Sequence, residues 1–233
     1  MKFRSLLIET STERGMIGCF DEDEPIFLEP LPFGSAQSRF LMPILAEKMK
    51  SHGIEGPTLS CIGVGIGPGS YTGIRIGVAV AQALAYGWDL PLIGISSLEG
   101  FIPDIHGISF ASIIDARIGG AYLRKGKLDS TGEVQFFTQP EMLPLEKLAT
   151  YLTGIKHLVT PSSALIQAKL NELYPDNSWI WVEKAPSGRH LGAQIKLAYA
   201  QGLGKKGGHL ELLYLRETEA EQEKIKKKKI NRL

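Results

Sequence analysis

The chain has 233 residues, of which 43% are hydrophobic and 22% charged, an ordinary globular composition that one large or two small domains can satisfy. A formal net charge of +1 gives no overall pull toward nucleic acid or membrane. The two cysteines, Cys19 and Cys61, each lie in an apolar, strand-like stretch; they read as buried free thiols of a reducing compartment and cannot form a CxxC-type site. "MKFRSLLIETSTE" turns polar at Glu9, too early for a secretory leader. The longest apolar region, Ile74 to Trp88, contains Arg75 and Gln82 and is too short to span a bilayer, so a cytoplasmic protein is expected.

In chain order, Phe3–Ile8, "MIGCF" and "IFLEP" read as a three-stranded antiparallel meander broken by the turns "TSTERG" and "DEDEP". Ala36–Ser51 has helical periodicity, with Pro43 in its first turn or at a kink. A strand at Ser60–Gly65, a Gly-rich loop, a helix to about Tyr86 and a strand in "PLIGIS" follow. The pattern then restarts: "SFASIIDARIGGAYLRKG" matches "FRSLLIETSTERGMIGCF" as strand, carboxylate, polar turn with Arg and Gly, and strand. "VQFFTQ" supplies a third strand, then come helical segments near Leu145–Tyr151, Ser163–Leu173 and Gly192–Gln201, with short strands in "HLVTP" and "WIWVE". This reads as two lobes of one α/β plan split near Phe101–Gly107, or as two unrelated α/β pieces sharing a common pattern. The expected divisions are an N-terminal lobe over 1–104, a C-terminal lobe over 105–216 and a charged tail over 217–233. The tail holds four acids and six bases, which leaves the rest of the chain at −1. It reads as a solvated extension or as an electrostatic hook for RNA.

"GIGPGSYTGIRIG" resembles a phosphate loop, but no lysine lies between Glu55 and Pro91, which excludes a Walker A motif; Thr72 stands where a GxGxxG fingerprint needs its third glycine. The loop remains either an anion site at a helix N-terminus or a tight turn with Ser70 or Thr72 as N-cap. Gly73, Gly77, Ala81 and Ala85 recur every four residues and so share one helix stripe. Glycine costs a helix about 1 kcal/mol against alanine, so the stripe implies close approach of another backbone, within the chain or from a partner. The expected partner interface is Gly73, Ile74, Gly77, Val78 and Ala81, facing Phe40, Leu41 and Ile44 of the preceding helix, and Gly77→Leu is expected to abolish pairing while leaving the monomer folded. Glu9 and Asp115 each end a first strand. They either cap their own turns or, with Thr10 and Ser11, line a vestigial nucleotide cleft between the lobes. No two of the five histidines stand at i,i+3 or i,i+4, and GxSxG is absent, so neither a metal site nor a catalytic residue is expected.

"LLIETST", "FLMPIL", "GVGIGPGSYTGIRIGVAVAQALA", "LPLIGISSLEG", "IIDARIGGAY" and the late "LYLR" occur in the order found in TsaB (YeaZ) proteins, and from Phe3 to Arg216 the chain resembles that family. The resemblance implies an α/β fold of the actin/Hsp70/sugar-kinase type, with two ribonuclease-H-like lobes. It implies a catalytically degenerate, cofactor-free dimerisation subunit of the tRNA threonylcarbamoyladenosine machinery. Such a subunit pairs through its two N-lobe helices with a TsaD-like transferase, or with itself, and engages a TsaE-like ATPase; tRNA is met through the complex and no membrane is involved. Glu9 stands where many members have aspartate, and Gln37 where many have histidine. The lysine-rich tail is no hallmark of the family. The rival reading is an active nucleotide-binding ATPase or kinase of the same fold.

Overall fold

The computed structural model describes residues 2–34, 37–117, 119–206, 210–213 and 215. Strands β1 (Arg4–Glu9), β2 (Met16–Asp21) and β3 (Glu24–Pro30) form the antiparallel meander. After helix α1 (Gln37–Ser51) comes β4 (Cys61–Gly65), parallel to β1; after helix α2 (Tyr71–Gly87) comes β5 (Leu92–Ile95), parallel to β4. The spatial order is β3-β2-β1-β4-β5. Alternation assigns the two faces. Leu6, Ile8, Ile17, Cys19, Ile62 and Val64 lie under α1 and α2, whereas Leu7, Phe20, Cys61, Ile93 and Ile95 point the other way. Both faces are covered, which is why β1 and β4 read as unbroken apolar runs. Pro43 is the seventh residue of α1 and exposed, so its missing N–H falls on the solvent side and the helix continues. Ser70, not Thr72, caps α2: its Oγ accepts from the Gly73 N–H at 3.2 Å.

The second sheet repeats this plan. Strands β6 (Ile108–Asp115), β7 (Gly120–Leu128) and β8 (Val134–Phe136) run antiparallel, and β10 (His157–Thr160) and β11 (Ile180–Glu183) extend the sheet parallel to β6. The order is β11-β10-β6-β7-β8, with β9 (Glu141–Pro144) also paired to β7. Helices α3 (Leu148–Tyr151) and α4 (Ala164–Leu173) cover Ala111, Ile113, Leu123 and Leu158. The paired meander-plus-parallel sheets make this an α/β fold of the actin/Hsp70/sugar-kinase type with two lobes. Strand β9 is hidden in the sequence because Pro140 precedes it and Pro144 ends it, so the stretch reads as loop.

One boundary needs correction. The last helix among the described residues, α5 (Gly188–Ala200), starts four residues earlier than expected and belongs to the first lobe, not to a C-terminal lobe running over 105–216. Its Leu191 and Ile195 close the face of the first sheet that α1 and α2 leave open. The fit is close: a Cβ on Gly192 would stand 2.6 Å from Phe20 Cζ, and one on Gly63 2.2 Å from Ile195 Cδ1. The chain then stays on that lobe. Lys205 bridges to Leu92 through reciprocal bonds of 2.9 and 3.1 Å, and the Leu213 N–H donates to the Ile66 carbonyl at 3.0 Å. The charged tail over 217–233 lies outside the described residues. Among the described residues no helix is long and apolar enough to cross a membrane.

Candidate functional site

The end of β1 carries Glu9, and the structure turns it inward. Its carboxylate is 1% exposed. Oε1 accepts from the Ser11 N–H at 2.7 Å and from the Ser11 hydroxyl; Oε2 accepts from Ser97 Oγ at 2.8 Å. Gly65 on the adjacent strand leaves the necessary room, since a Cβ there would lie 2.0 Å from Oε2. Burial pushes the Glu9 carboxyl above its ordinary range, and the Ser11 and Ser97 hydrogen bonds offset only part of that shift. Asp115 is elsewhere. It lines a small pocket between the lobes with Glu13, Arg117, Pro161, Ser162 and Leu165, accepts from the Arg117 N–H at 2.8 Å, and stands 3.4 Å from Lys169 Nζ. Of the expected cleft residues Glu9, Thr10, Ser11 and Asp115, Asp115 alone lines this pocket. The first three are buried inside their own lobe, and Asp115 is paired with Lys169. Among the described residues no group of three or more His, Cys, Asp or Glu side chains is placed to hold a metal ion.

Glu9 makes a pH prediction. Its folded pKa is raised, so the native state binds the proton more tightly than the unfolded chain. Stability therefore falls as pH rises through the unfolded carboxylate range toward the folded value, and stays lower above it. Glu9→Gln preserves the shape and an acceptor for Ser11. Urea unfolding at pH 5 and pH 8 should show the variant less sensitive to pH than the parent and more stable at pH 8; an unchanged pH dependence would contradict an inward-facing, desolvated Glu9.

The turn after β1 connects everything around it. Thr10 Oγ1 donates to the Gly73 carbonyl at 2.8 Å, the Ser70 N–H donates to the Ser11 carbonyl at 2.6 Å, and Gln37 Nε2 donates to the Thr12 carbonyl at 2.8 Å. The same turn reaches the second lobe through Arg14. Its Nε donates to the Pro161 carbonyl at 2.6 Å and its Nη2 pairs with Glu183 at 2.5 Å. Glu183 also accepts from the Ser163 N–H at 2.9 Å, the strongest of the contacts that hold its carboxyl below the usual range. Arg124–Glu99 and Lys184–Asp104, each at 2.5 Å, add further ties between the lobes.

Thr10 also corrects the predicted interface. A Cβ on Gly73 would fall 2.2 Å from the Thr10 carbonyl oxygen, and one on Gly77 2.2 Å from Thr10 Oγ1. The glycine stripe thus admits the chain's own turn. Ile74, Gly77, Val78, Ala81 and Leu41 are buried against the first sheet, and Gly73 lies beneath Thr10. Of the eight predicted interface residues, only Phe40, 44% exposed, and the half-buried Ile44 reach the outer surface clearly. The outer side of α2 carries a different small-residue stripe, with Thr72, Ala79 and Ala83 exposed and Ile76 and Val80 half-buried beside it. Tyr71 and Tyr86, the latter 85% exposed, flank its two ends, and Met42 and Pro43 are exposed on α1. Seventeen residues of α2 include one charged side chain, Arg75.

Known proteins resemble the chain in sequence and in fold. The TsaD family, described as tRNA N6-adenosine threonylcarbamoyltransferase, matches residues 34–167, more than half of the chain. The tRNA threonylcarbamoyladenosine biosynthesis protein TsaB of Escherichia coli is 29% identical over 150 residues, covering 60% of this chain and 64% of that protein. The TsaB of Haemophilus influenzae is 32% identical over 121 residues, covering 50% and 51%. The chain thus spans between half and two thirds of these relatives' length. A crystal structure from Pseudomonas aeruginosa, of a protein with similarity to peptidase YeaZ, shares the fold at a TM-score of 0.77 and 22% identity, covering 92% of this chain and 100% of that one. With the motif order, the two-lobed fold and these matches in agreement, this chain belongs to the TsaB (YeaZ) family, within the wider TsaD family.

Proposed function

We propose that the chain is a non-catalytic partner subunit in the formation of threonylcarbamoyladenosine on tRNA. In this reading it pairs with a TsaD-like transferase subunit, stabilises and activates it, and helps to form the docking site for a TsaE-like ATPase. A second copy takes the same face when the chain is alone, and tRNA is met through the complex in the cytoplasm. The observation that carries the reading is the outer face of the first lobe. Helix α2 presents exposed alanines and half-buried branched residues to solvent with a single charge, and α1 adds Phe40, Met42 and Pro43. A helix that is apolar on both its inner and outer sides calls for cover on both. The enclosed Glu9 and the Lys169-paired Asp115 support a role without chemistry of its own.

Light scattering on a sizing column tests this, with the chain alone and then mixed with the TsaD-like protein of the same organism. The expected result is self-association that gives way to a one-to-one heterodimer. A chain indifferent to that protein, or one that binds Mg-ATP at micromolar concentration by calorimetry, overturns the proposal.

A further inference from the structure

Charge is divided unevenly along the sequence. In the segment 217–233 the acids come first, as Glu217, Glu219, Glu221 and Glu223; from Lys224 onward there are five lysines and Arg232, with no acid among them. The rest of the chain stands at −1 and offers a polyanion little. Among the described residues at least ten cations, Arg14, Arg124, Lys169 and Lys196 included, are held in ion pairs with acids of the fold itself. The structure also fixes the point from which the charged segment is reached. The Leu213 N–H donates to the Ile66 carbonyl at 3.0 Å, and Leu210 and Leu212 pack against the core beneath α1 and α2. A Cβ on Gly67 would stand 3.3 Å from the Leu213 carbonyl oxygen. Leu213 is thus held on the first lobe, at the turn that leads into α2.

We propose that Lys224–Arg232 binds the phosphate backbone of RNA, that of the tRNA on which the complex acts; the proposal rests on the partner-subunit reading. Three physical points carry it. The first is density. Six cations fall within nine residues, and each phosphate that a lysine or arginine neutralises releases condensed counterions, so affinity arises without a shaped pocket. The second is reach. Lys224 lies eleven residues beyond Leu213, which allows it up to about 35–40 Å from that anchor, enough to cross from the first lobe to a nucleic acid held by a partner subunit. The third is composition. Five of the six cations are lysines, which meet phosphate as point charges, whereas protein carboxylates are matched best by the planar fork of arginine. A membrane-surface segment needs an apolar face of Trp, Phe or Leu, and Lys224–Arg232 has two isoleucines and no aromatic residue. Phosphate contacts give affinity and carry no sequence information. The segment therefore strengthens the hold on tRNA and leaves the choice of RNA to the other subunits.

The test uses the full chain with the TsaD-like protein and tRNA of the same organism. The parent is compared with a variant carrying Lys226→Gln, Lys227→Gln, Lys228→Gln and Lys229→Gln. Light scattering should show the same heterodimer for both, and the melting temperatures should agree. Anisotropy titrations of labelled tRNA between about 50 and 200 mM KCl should show the variant complex binding about tenfold or more weakly at the lowest salt. The slope of log affinity against log salt should be shallower by about 3, at roughly 0.7–0.9 for each lost phosphate contact. The loss should be of similar size with a tRNA that the complex does not modify. Equal affinity and equal slope overturn the proposal. So does a variant that keeps its tRNA and loses the heterodimer, which makes the segment a protein contact. A variant that keeps its tRNA and loses binding to phosphatidylserine vesicles overturns it in favour of a membrane. A parent that forms no heterodimer marks the failure of the partner-subunit reading and takes this proposal with it. A heterodimer whose tRNA binding ignores the four lysines fails this proposal alone.

Discussion

Gly77→Leu is expected to unfold the chain, not to release a folded monomer. The Cβ position lies 2.2 Å from Thr10 Oγ1 and 3.7 Å from Ile8 Cγ2, so a leucine side chain is aimed into the packed junction of α2, β1 and the turn that follows β1. Extra methylenes in a filled core cost about 1–3 kcal/mol, and a leucine brings four carbons to a site with no room for one. Against a total stability of roughly 5–15 kcal/mol this is a large fraction. Circular dichroism melts should show the variant unfolded or with a melting temperature lowered by about ten degrees or more. The specific cause is testable by a cycle. Gly77→Ala should cost more in the parent than in a Thr10→Ala background, where the clashing hydroxyl is gone. A variant Gly77→Leu that melts with the parent would show that α2 does not rest on Thr10.

Ala79→Arg should do the opposite. Ala79 is exposed on the outer side of α2, two residues along from Gly77 and on the far face of the helix. Surface substitutions of this kind stay within about 0.5 kcal/mol of the parent, so the fold should hold. On the proposed partner face, a long cation should cost the heterodimer about 2–3 kcal/mol, roughly 30- to 150-fold in Kd. Titration calorimetry against the TsaD-like subunit measures this. A full-strength complex with Ala79→Arg would mean that the partner sits elsewhere. Together, the two variants separate the side of α2 that serves the fold from the side proposed to serve a partner.

That distinction marks what the sequence could and could not disclose. Strands buried on both faces are written as unbroken apolar runs, so β1, β2, β4 and β5 were legible, and the repeat of the meander revealed the second lobe. The spacing of Gly73 and Gly77 showed that something approaches closely. It did not show what, because the object is Thr10, more than sixty residues away along the chain. The inward turn of Glu9 was hidden for the same reason: its partners Ser97 and Gly65 come from two other parts of the sheet edge. The placement of α5 was half legible. Periodicity marks a helix near Gly192–Gln201 but names no sheet, and the close approach that Gly188 and Gly192 allow is to Leu28 and Phe20, far away along the chain.

The return of α5 to the first lobe sets an order of events during synthesis. The second sheet is an insertion between β5 and the helix that finishes the first. When the ribosome has produced the five strands and two helices of the first lobe, Leu7, Phe20, Cys61 and Ile93 still lack their cover. They remain without it until Leu191 and Ile195 emerge, about a hundred residues later. At some 5–20 residues per second that is several seconds with one sheet face bare. The second lobe, by contrast, has its strands and covering helices in one continuous stretch and can close first. The lobe that is written first is therefore completed last, and an mRNA truncated before residue 188 would yield a finished second lobe attached to an uncovered first one.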